Sequence, residues 1–243
     1  VKVAKHPTEL EETIFDAIHI SDLHLGSDSC RVGLLETFLE EMPDTRMLIL
    51  CGDVLQNTQH RLTKHHWRVL SLLRKLSDRV ELLWVRGNHD SDAVSVAHLI
   101  GAHWLHRAAY TTGGRGVVCV HGDEFDEFTT RNPWLTWAAD QAYIAIQRWS
   151  APFAARLKRS SKTYVQCAEL VKAGAVGMAE AANAQVVVCG HTHHAEHDKS
   201  GRVEYVNAGC WTDSDCHYVT AKDGFFVLNR LRYEPWSPSL TAN

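Results

Sequence analysis

Short continuous apolar runs recur along this chain, and each stops at a glycine or small polar residue followed closely by Asp, Asn or His. The sharpest instance is Val186–His193, VVVCGHTH. Val186, Val187, Val188 and Cys189 read as a buried strand, Gly190 as a sharp turn, and His191 and His193 as imidazoles placed where the strand runs out. Imidazoles two residues apart on an extended segment point the same way, so both are expected to face one site. Four other places repeat the pattern. Ile14–Ile20 precedes Ser21-Asp22-Leu23-His24, and Met47–Cys51 precedes Gly52-Asp53. Val80–Val85 precedes Arg86-Gly87-Asn88-His89-Asp90, and Gly116–Val120 precedes His121-Gly122-Asp123. A run that is apolar at successive positions marks a strand covered on both faces, so the sheets of this chain must lie between other layers.

Helical spacing fills the gaps between the early strands. Residues 31–41 place Leu34, Leu35, Phe38 and Leu39 on one face, and residues 61–77 are expected to turn Leu62, Trp67, Leu70, Leu73 and Leu76 inward. His60, His65 and His66 around that helix read as solvated or structural, and His19 as packed beside the first strand. Residues 91–99 read as a short helix. Later, Val203–Val206, His217–Thr220 and Phe225–Leu228 follow one another with Gly and Asp turns, which predicts antiparallel pairing. Strand–helix early and strand–turn–strand late give an α/β class with mixed sheets and outer helices, in one domain over residues 1–243. In such folds ligands gather beyond the carboxyl ends of strands. Asp22, His24, Asp53, Asn88, His89, His121, His191 and His193 all fall at such ends.

Composition narrows the function classes. The 243 residues are 45% hydrophobic and 22% charged, ordinary for a globular domain, and the formal charge of -4 offers no basic field for nucleic acid. Seven cysteines are an odd number in a chain too long to need a disulfide framework. Cys51, Cys119 and Cys189 each close an apolar run, which suits reduced buried thiols and a cytoplasmic location. The segment VKVAKHPTELEE has no apolar core and no apolar stretch reaches about 18 residues, so neither a signal peptide nor a membrane span is expected.

The ligand types suggest the chemistry. A carboxylate directly after a buried strand, as at Asp53, is costly unless it binds something positive, whereas Asp22 also reads as an N-cap. The amide oxygen of Asn88 suits a divalent cation already held by stronger ligands. Imidazoles, two carboxylates and an amide, with no thiolate, fit Mn²⁺, Fe or Zn²⁺. They are too many for one ion. Two ions ~3.5–4 Å apart share a bridging carboxylate, activate a water and neutralise a transferring phosphoryl group. A histidine off the metals is the natural proton donor at neutral pH.

Read in order, D-x-H, GD, GNHD, HGD and GHTH resemble the calcineurin-like metallophosphoesterase superfamily over nearly the whole chain. The resemblance implies a two-sheet sandwich flanked by helices and a dinuclear centre. It places Asp22, His24 and His193 on one ion, Asn88, His121 and His191 on the other, and Asp53 between them. His89 would serve as the acid near the leaving group, with Asp90 orienting it. A narrower likeness lies in HGDEFD at 121–126, GHTHH at 190–194 and NAGCW at 207–211, which resemble UDP-2,3-diacylglucosamine hydrolases, enzymes that cleave a pyrophosphate in lipid A precursor synthesis. His89 stands where those hydrolases usually carry Arg, and Cys210 where relatives commonly carry Asp.

The segment from about 124 to 174 reads as a helical insertion. Residues 134–149, WLTWAADQAYIAIQRW, are apolar nearly all round, and Arg156, Lys158, Arg159 and Lys162 follow. One reading is a packed hairpin with a solvated basic end. The other is a lid that takes acyl chains on its apolar wall and phosphates on its basic residues, touching the inner membrane peripherally. His194 and Trp211 are further candidates for the substrate rim or for structural packing. Three functions are weighed: a two-metal phosphoesterase acting on a phosphodiester or pyrophosphate, including small soluble esters; a nuclease of the same superfamily; and a scaffold without catalysis.

Overall fold

Each apolar run forms a strand because both of its faces are covered. The computed structural model describes residues 14–58, 61–126 and 162–232. Strands β1 (Phe15–Ile20), β2 (Thr45–Leu50), β3 (Glu81–Val85) and β4 (His103–Leu105) run parallel as neighbours in one sheet. That sheet is extended past β1 by the antiparallel hairpin β10 (Asp215–Lys222) and β11 (Phe225–Arg232), giving the order β11-β10-β1-β2-β3-β4. The second sheet has the order β5-β6-β7-β9-β8. In it β6 (Arg115–Cys119), β7 (Val186–Cys189) and β9 (Glu204–Asn207) are parallel, and β5 (Ala108–Thr112) and β8 (Glu196–Asp198) are antiparallel edges. The sequence reading anticipated the antiparallel β10–β11 pairing, but it also expected Val203–Val206 to pair with those strands, whereas β9 lies in the other sheet, parallel to β7; nor did it resolve β4, β5 and β8, which lack continuous apolar runs.

Alternate side chains of one strand enter different cores. Ile18, Ile20, Leu48, Leu50, Leu82 and Trp84 face helices α1 (Val32–Glu41), α2 (Lys64–Leu76) and α3 (Val94–Leu99). Ala17, Ile49, Cys51, Leu83 and Val85 face the second sheet, against Val117, Cys119, Val186, Val188 and Val206. The outer face of the second sheet, Val118, Val120, Val187 and Cys189, is covered by Ala175 and Ala179 of α4 (Lys162–Ala181). The chain is therefore an α/β sandwich of two mixed sheets flanked by helices, as expected. Of the anticipated 124–174 insertion, residues 127–161 lie outside the described residues, and residues 162–174 open α4. Among the described residues no helix is long and apolar enough to cross a membrane.

Two packing expectations need correction. Trp67 was expected inward, yet it is 59% exposed, and His66, Val69, Leu70, Leu73 and Leu76 form the buried stripe of α2. Trp67 sits about 100° round the helix from His66, off the stripe that the i, i+3, i+4 spacing defines. His66 is buried because it closes the capping box with Thr63, while His65 stays in solvent beside Glu36. His19 is fully buried as anticipated, its Nε2 2.9 Å from the Tyr110 hydroxyl across the two sheets. All seven cysteines are free thiols.

Burial pulls the His19 imidazole down to about 3 from an ordinary value of 6.5. Between those pH values the unfolded chain binds a proton there that the folded chain refuses, so this contribution to stability is lost as pH falls below the unfolded value, by up to ~1.4 kcal/mol per unit. Urea unfolding of metal-free protein at a few values below pH 6.5 should therefore show a shallower pH slope for His19→Phe than for the unaltered chain. Equal slopes would contradict a neutral buried imidazole.

Candidate metal centre

The parallel strands end on one side of the sandwich, and the chain leaves them through strained turns. Seven described non-glycine residues have positive φ, and five of them are Asp22, His24, Asp53, His191 and His193, with φ between 48 and 65°. Asp and His tolerate this left-handed region better than most residues, but it still costs ~1–3 kcal/mol at each position and persists only where the surroundings enforce it. The expectation of an extended His-x-His is thus corrected. His191 and His193 sit on twisted backbone and serve two different clusters, because the left-handed turns break the two-residue periodicity of a strand.

The first cluster joins Asp22, His24 and His193, and the second joins Asp53, His121 and His191. Asp22 Oδ1 lies 3.1 Å from His193 Nε2, which in turn is 3.2 Å from His24 Nε2. Asp53 Oδ2 lies 3.3 Å from His121 Nε2 and 3.8 Å from His24 Nε2, so one carboxylate stands between the two groups. His89 approaches the same oxygen at 4.0 Å and completes a third set with His24 and Asp53. Close approach is possible because glycines flank the ligands. A side chain at Gly190 would collide with Ser21 and Asp22, and one at Gly52, where φ is also 93°, would collide with the His121 ring. Gly190, read from sequence as a turn, is not among the positive-φ glycines; it is needed for room.

Hydrogen bonds fix which imidazole nitrogen faces the centre. His121 Nδ1 donates to the Cys51 carbonyl at 2.8 Å and His89 Nδ1 to the Gln56 carbonyl at 2.9 Å. A carbonyl only accepts, so both rings carry the proton on Nδ1 and turn Nε2 toward Asp53. His191 is held the other way: its Nε2 is 3.0 Å from Asp126 Oδ2, leaving Nδ1 for the cluster. Asp22 Oδ1, His121 Nε2 and His191 Nδ1 are buried without hydrogen-bond partners. Lone pairs of His121 and Asp53 facing each other at 3.3 Å require a cation between them. Without metal that cation is a proton. Burial pulls His121 down, but Asp53 and then Asp22 and Asp123 lift it to about 10. Burial likewise raises the Asp53 carboxyl, and His121, His24 and His89 outweigh it and hold it well below the usual carboxylate range. The donor set, its burial and these unsatisfied atoms fit a dinuclear metal site.

The other expected site residues are placed as follows. Asp90 makes no hydrogen bond to the His89 ring among the described residues. It is fully buried and accepts from the N–H groups of Gly87, Leu55 and Val54 and the Trp84 indole, tying the β2 and β3 exit loops together, while the Gln56 carbonyl holds the His89 ring. Burial, with the Asp53 charge behind it, lifts Asp90 to about 6. Asn88 is exposed at the start of a short 3₁₀ turn, Asn88–Asp90. Trp211 is fully buried against Phe38, with ring centroids 5.1 Å apart, so it packs the core and lines no rim. His194 is half-buried, edge-on to Tyr164. Arg156, Lys158 and Arg159 lie outside the described residues, as does the Lys162 side chain. The sequence reading missed Asp126. The only signal was an acid five residues after His121, and nothing local shows that it reaches His191.

Asp126→Asn tests that contact. The amide can present an N–H to Nε2 and favour the wrong tautomer, so metal affinity should fall about 10–100-fold, as for other carboxylates that orient a ligand histidine. Titration calorimetry with Mn²⁺ reads it directly. Unchanged affinity for both ions would make Asp126 a packing residue.

Comparison with known proteins places this arrangement. No curated protein matches the chain significantly. Several solved structures are similar to it over most of its length. A predicted phosphoesterase of Streptococcus pneumoniae is 17% identical with a TM-score of 0.44, over 89% of this chain and 88% of the other. An archaeal phosphodiesterase is 11% identical with a TM-score of 0.48, over 88% and 99%. Zinc-bound Vps29 of Entamoeba histolytica is 12% identical with a TM-score of 0.43, over 89% and 98%. The sequence profile described as calcineurin-like phosphoesterase matches residues 16–195. That match spans well over half of the chain and takes in both His/Asp clusters, and the chain belongs to the calcineurin-like phosphoesterase family.

Proposed function

We propose that the protein hydrolyses phosphodiesters or monoesters of small soluble molecules, with two divalent cations, most suitably Mn²⁺, held at the strand ends. The observation that carries this reading is the pair of buried His/Asp clusters joined by Asp53. Asp22, His24 and His193 would hold one ion, His121 and His191 with the Asn88 amide the other, and Asp53 both. When bound, such a pair lowers the pKa of a water and neutralises charge on a phosphoryl group. The residues of the chain do the rest. Asp53 and Asp22 hold the charge balance of the centre, and the buried strand ends keep bulk water from it. His89 is 33% exposed at its side chain, unlike His24 and His121, and its tautomer is set by Gln56. It is the imidazole a substrate reaches, and it can place a proton on a leaving oxygen.

The narrower reading, a UDP-2,3-diacylglucosamine or related nucleotide-linked lipid substrate, has weaker support. The apolar 134–149 segment lies outside the described residues, and in NAGCW both Cys210 and Trp211 are buried in packing.

His89→Ala should retain two ions per chain and lose about 10²–10⁴ in kcat on alkyl esters, with a smaller loss on nitrophenyl esters that need little protonation. Metal analysis beside the kinetics separates the roles. Loss of an ion would make His89 a ligand, and equal losses on both esters would exclude proton donation. Absence of hydrolysis of any ester with Mn²⁺, Fe²⁺ or Zn²⁺ would overturn the phosphoesterase reading itself.

A further inference from the structure

A cleft of about 550 Å³ is lined by Arg86, His106, Arg107, Val120, Asp123 and Glu124. It lies between the exits of β3 and β6. Arg86 is two residues before Asn88 and three before His89, and Val120 and Asp123 flank His121. The lining of the cleft is thus joined along the chain to the metal-side residues, Asp123 lies close enough to act on His121, and the volume suits a nucleotide-sized or sugar-phosphate-sized group. Its charges are not equivalent. Arg107 is taken by Glu124, with Nη2 and Oε2 2.6 Å apart. Asp123 adds to the negative field at His121. Arg86 is half-buried and its backbone N–H is fixed to the Leu105 carbonyl at 2.8 Å, yet among the described residues its guanidinium has no hydrogen bond or ion pair. A half-buried arginine anchored by its backbone, with no side-chain partner among the described residues, is suited to bidentate contact with a phosphate.

We propose that Arg86 and this cleft form a second-anion subsite, and that the preferred substrates are phosphoesters carrying another phosphate besides the one that is cleaved. The inference rests on the phosphoesterase reading and names its substrate class. The cleaved group sits at the His/Asp clusters, and the second phosphate accepts two N–H bonds from Arg86. The rest of the substrate spans the floor at Val120.

A matched pair of chromogenic esters tests it: thymidine 5′-(p-nitrophenyl phosphate), and the same compound carrying a 3′-phosphate. With Mn²⁺-loaded protein the KM should be about ten-fold lower or better for the doubly charged ester, the size of one charge-assisted bidentate contact. Arg86→Ala should bring the KM ratio close to one and Arg86→Lys should restore part of it, while Arg230→Ala, on β11 and paired with Asp215, should leave the ratio as it was. Calorimetry with thymidine 3′,5′-bisphosphate reads the subsite without turnover, and Arg86→Ala should weaken binding by a similar factor. Hydrolysis of both esters with equal KM would overturn the subsite and leave the phosphoesterase reading standing. Equal bisphosphate binding by the Arg86→Ala variant would overturn it even in protein that hydrolyses neither ester.

Discussion

Asp53 brings one carboxylate oxygen within 4.0 Å of imidazole nitrogens from three chain segments, His24, His89 and His121. That convergence is the constraint on which the rest of the site depends. A carboxylate 2% exposed among neutral rings would be protonated or would repel their lone pairs, so the arrangement is stable only around positive charge. The fold supplies the convergence by aligning parallel strands in two sheets and ending them on one side. β1, β2 and β3 deliver Asp22, Asp53 and His89, and β6 and β7 deliver His121 and His191. Bound cations would offset the charge of Asp22 and Asp53, while the protein holds the ligand residues in place in advance.

The holding is done by backbone more than by side chains. Five site residues occupy left-handed turns, and across the β1 and β2 exits the Asp22 N–H donates to the Gly52 carbonyl and the His24 N–H to the Asp53 carbonyl. His191 N–H donates to Asp22 Oδ2 at 3.0 Å and His89 N–H to Asp53 Oδ1 at 2.9 Å, so each carboxylate spends one oxygen on the frame and keeps the other for the centre. Asp90 does related work out of contact with any imidazole, drawing the β2 and β3 exits together through four N–H donors. Strain of a few kcal/mol is tolerable here because the sheets below are packed on both faces.

Large aromatics were hard to place from sequence. Trp67, expected inward, lies in solvent, and Trp211, read as rim or packing, fills the core. Aromatic identity does not report which face an element turns outward; the stripe of smaller neighbours does. Asp126 and Gln56 were invisible for the opposite reason. Each acts on a histidine far away in sequence through an acceptor oxygen, and no local pattern marks such a contact.

By itself the sequence determined the apolar central strands, their two-sided burial, the α/β class and the set of Asp, Asn and His at the strand ends. Continuous apolar runs and the polar residues that terminate them are local properties, fixed by what a doubly covered strand can contain. The tertiary structure alone decided how that set divides. It put His191 and His193 in different clusters, set Asp53 between them, chose Nδ1 for one imidazole and Nε2 for the others, and left Arg86 in a cleft with no side-chain partner among the described residues. Those outcomes depend on the meeting of two sheets and on left-handed turns a few residues long, where a rotation of one backbone angle redirects a side chain and spacing along the chain no longer predicts direction.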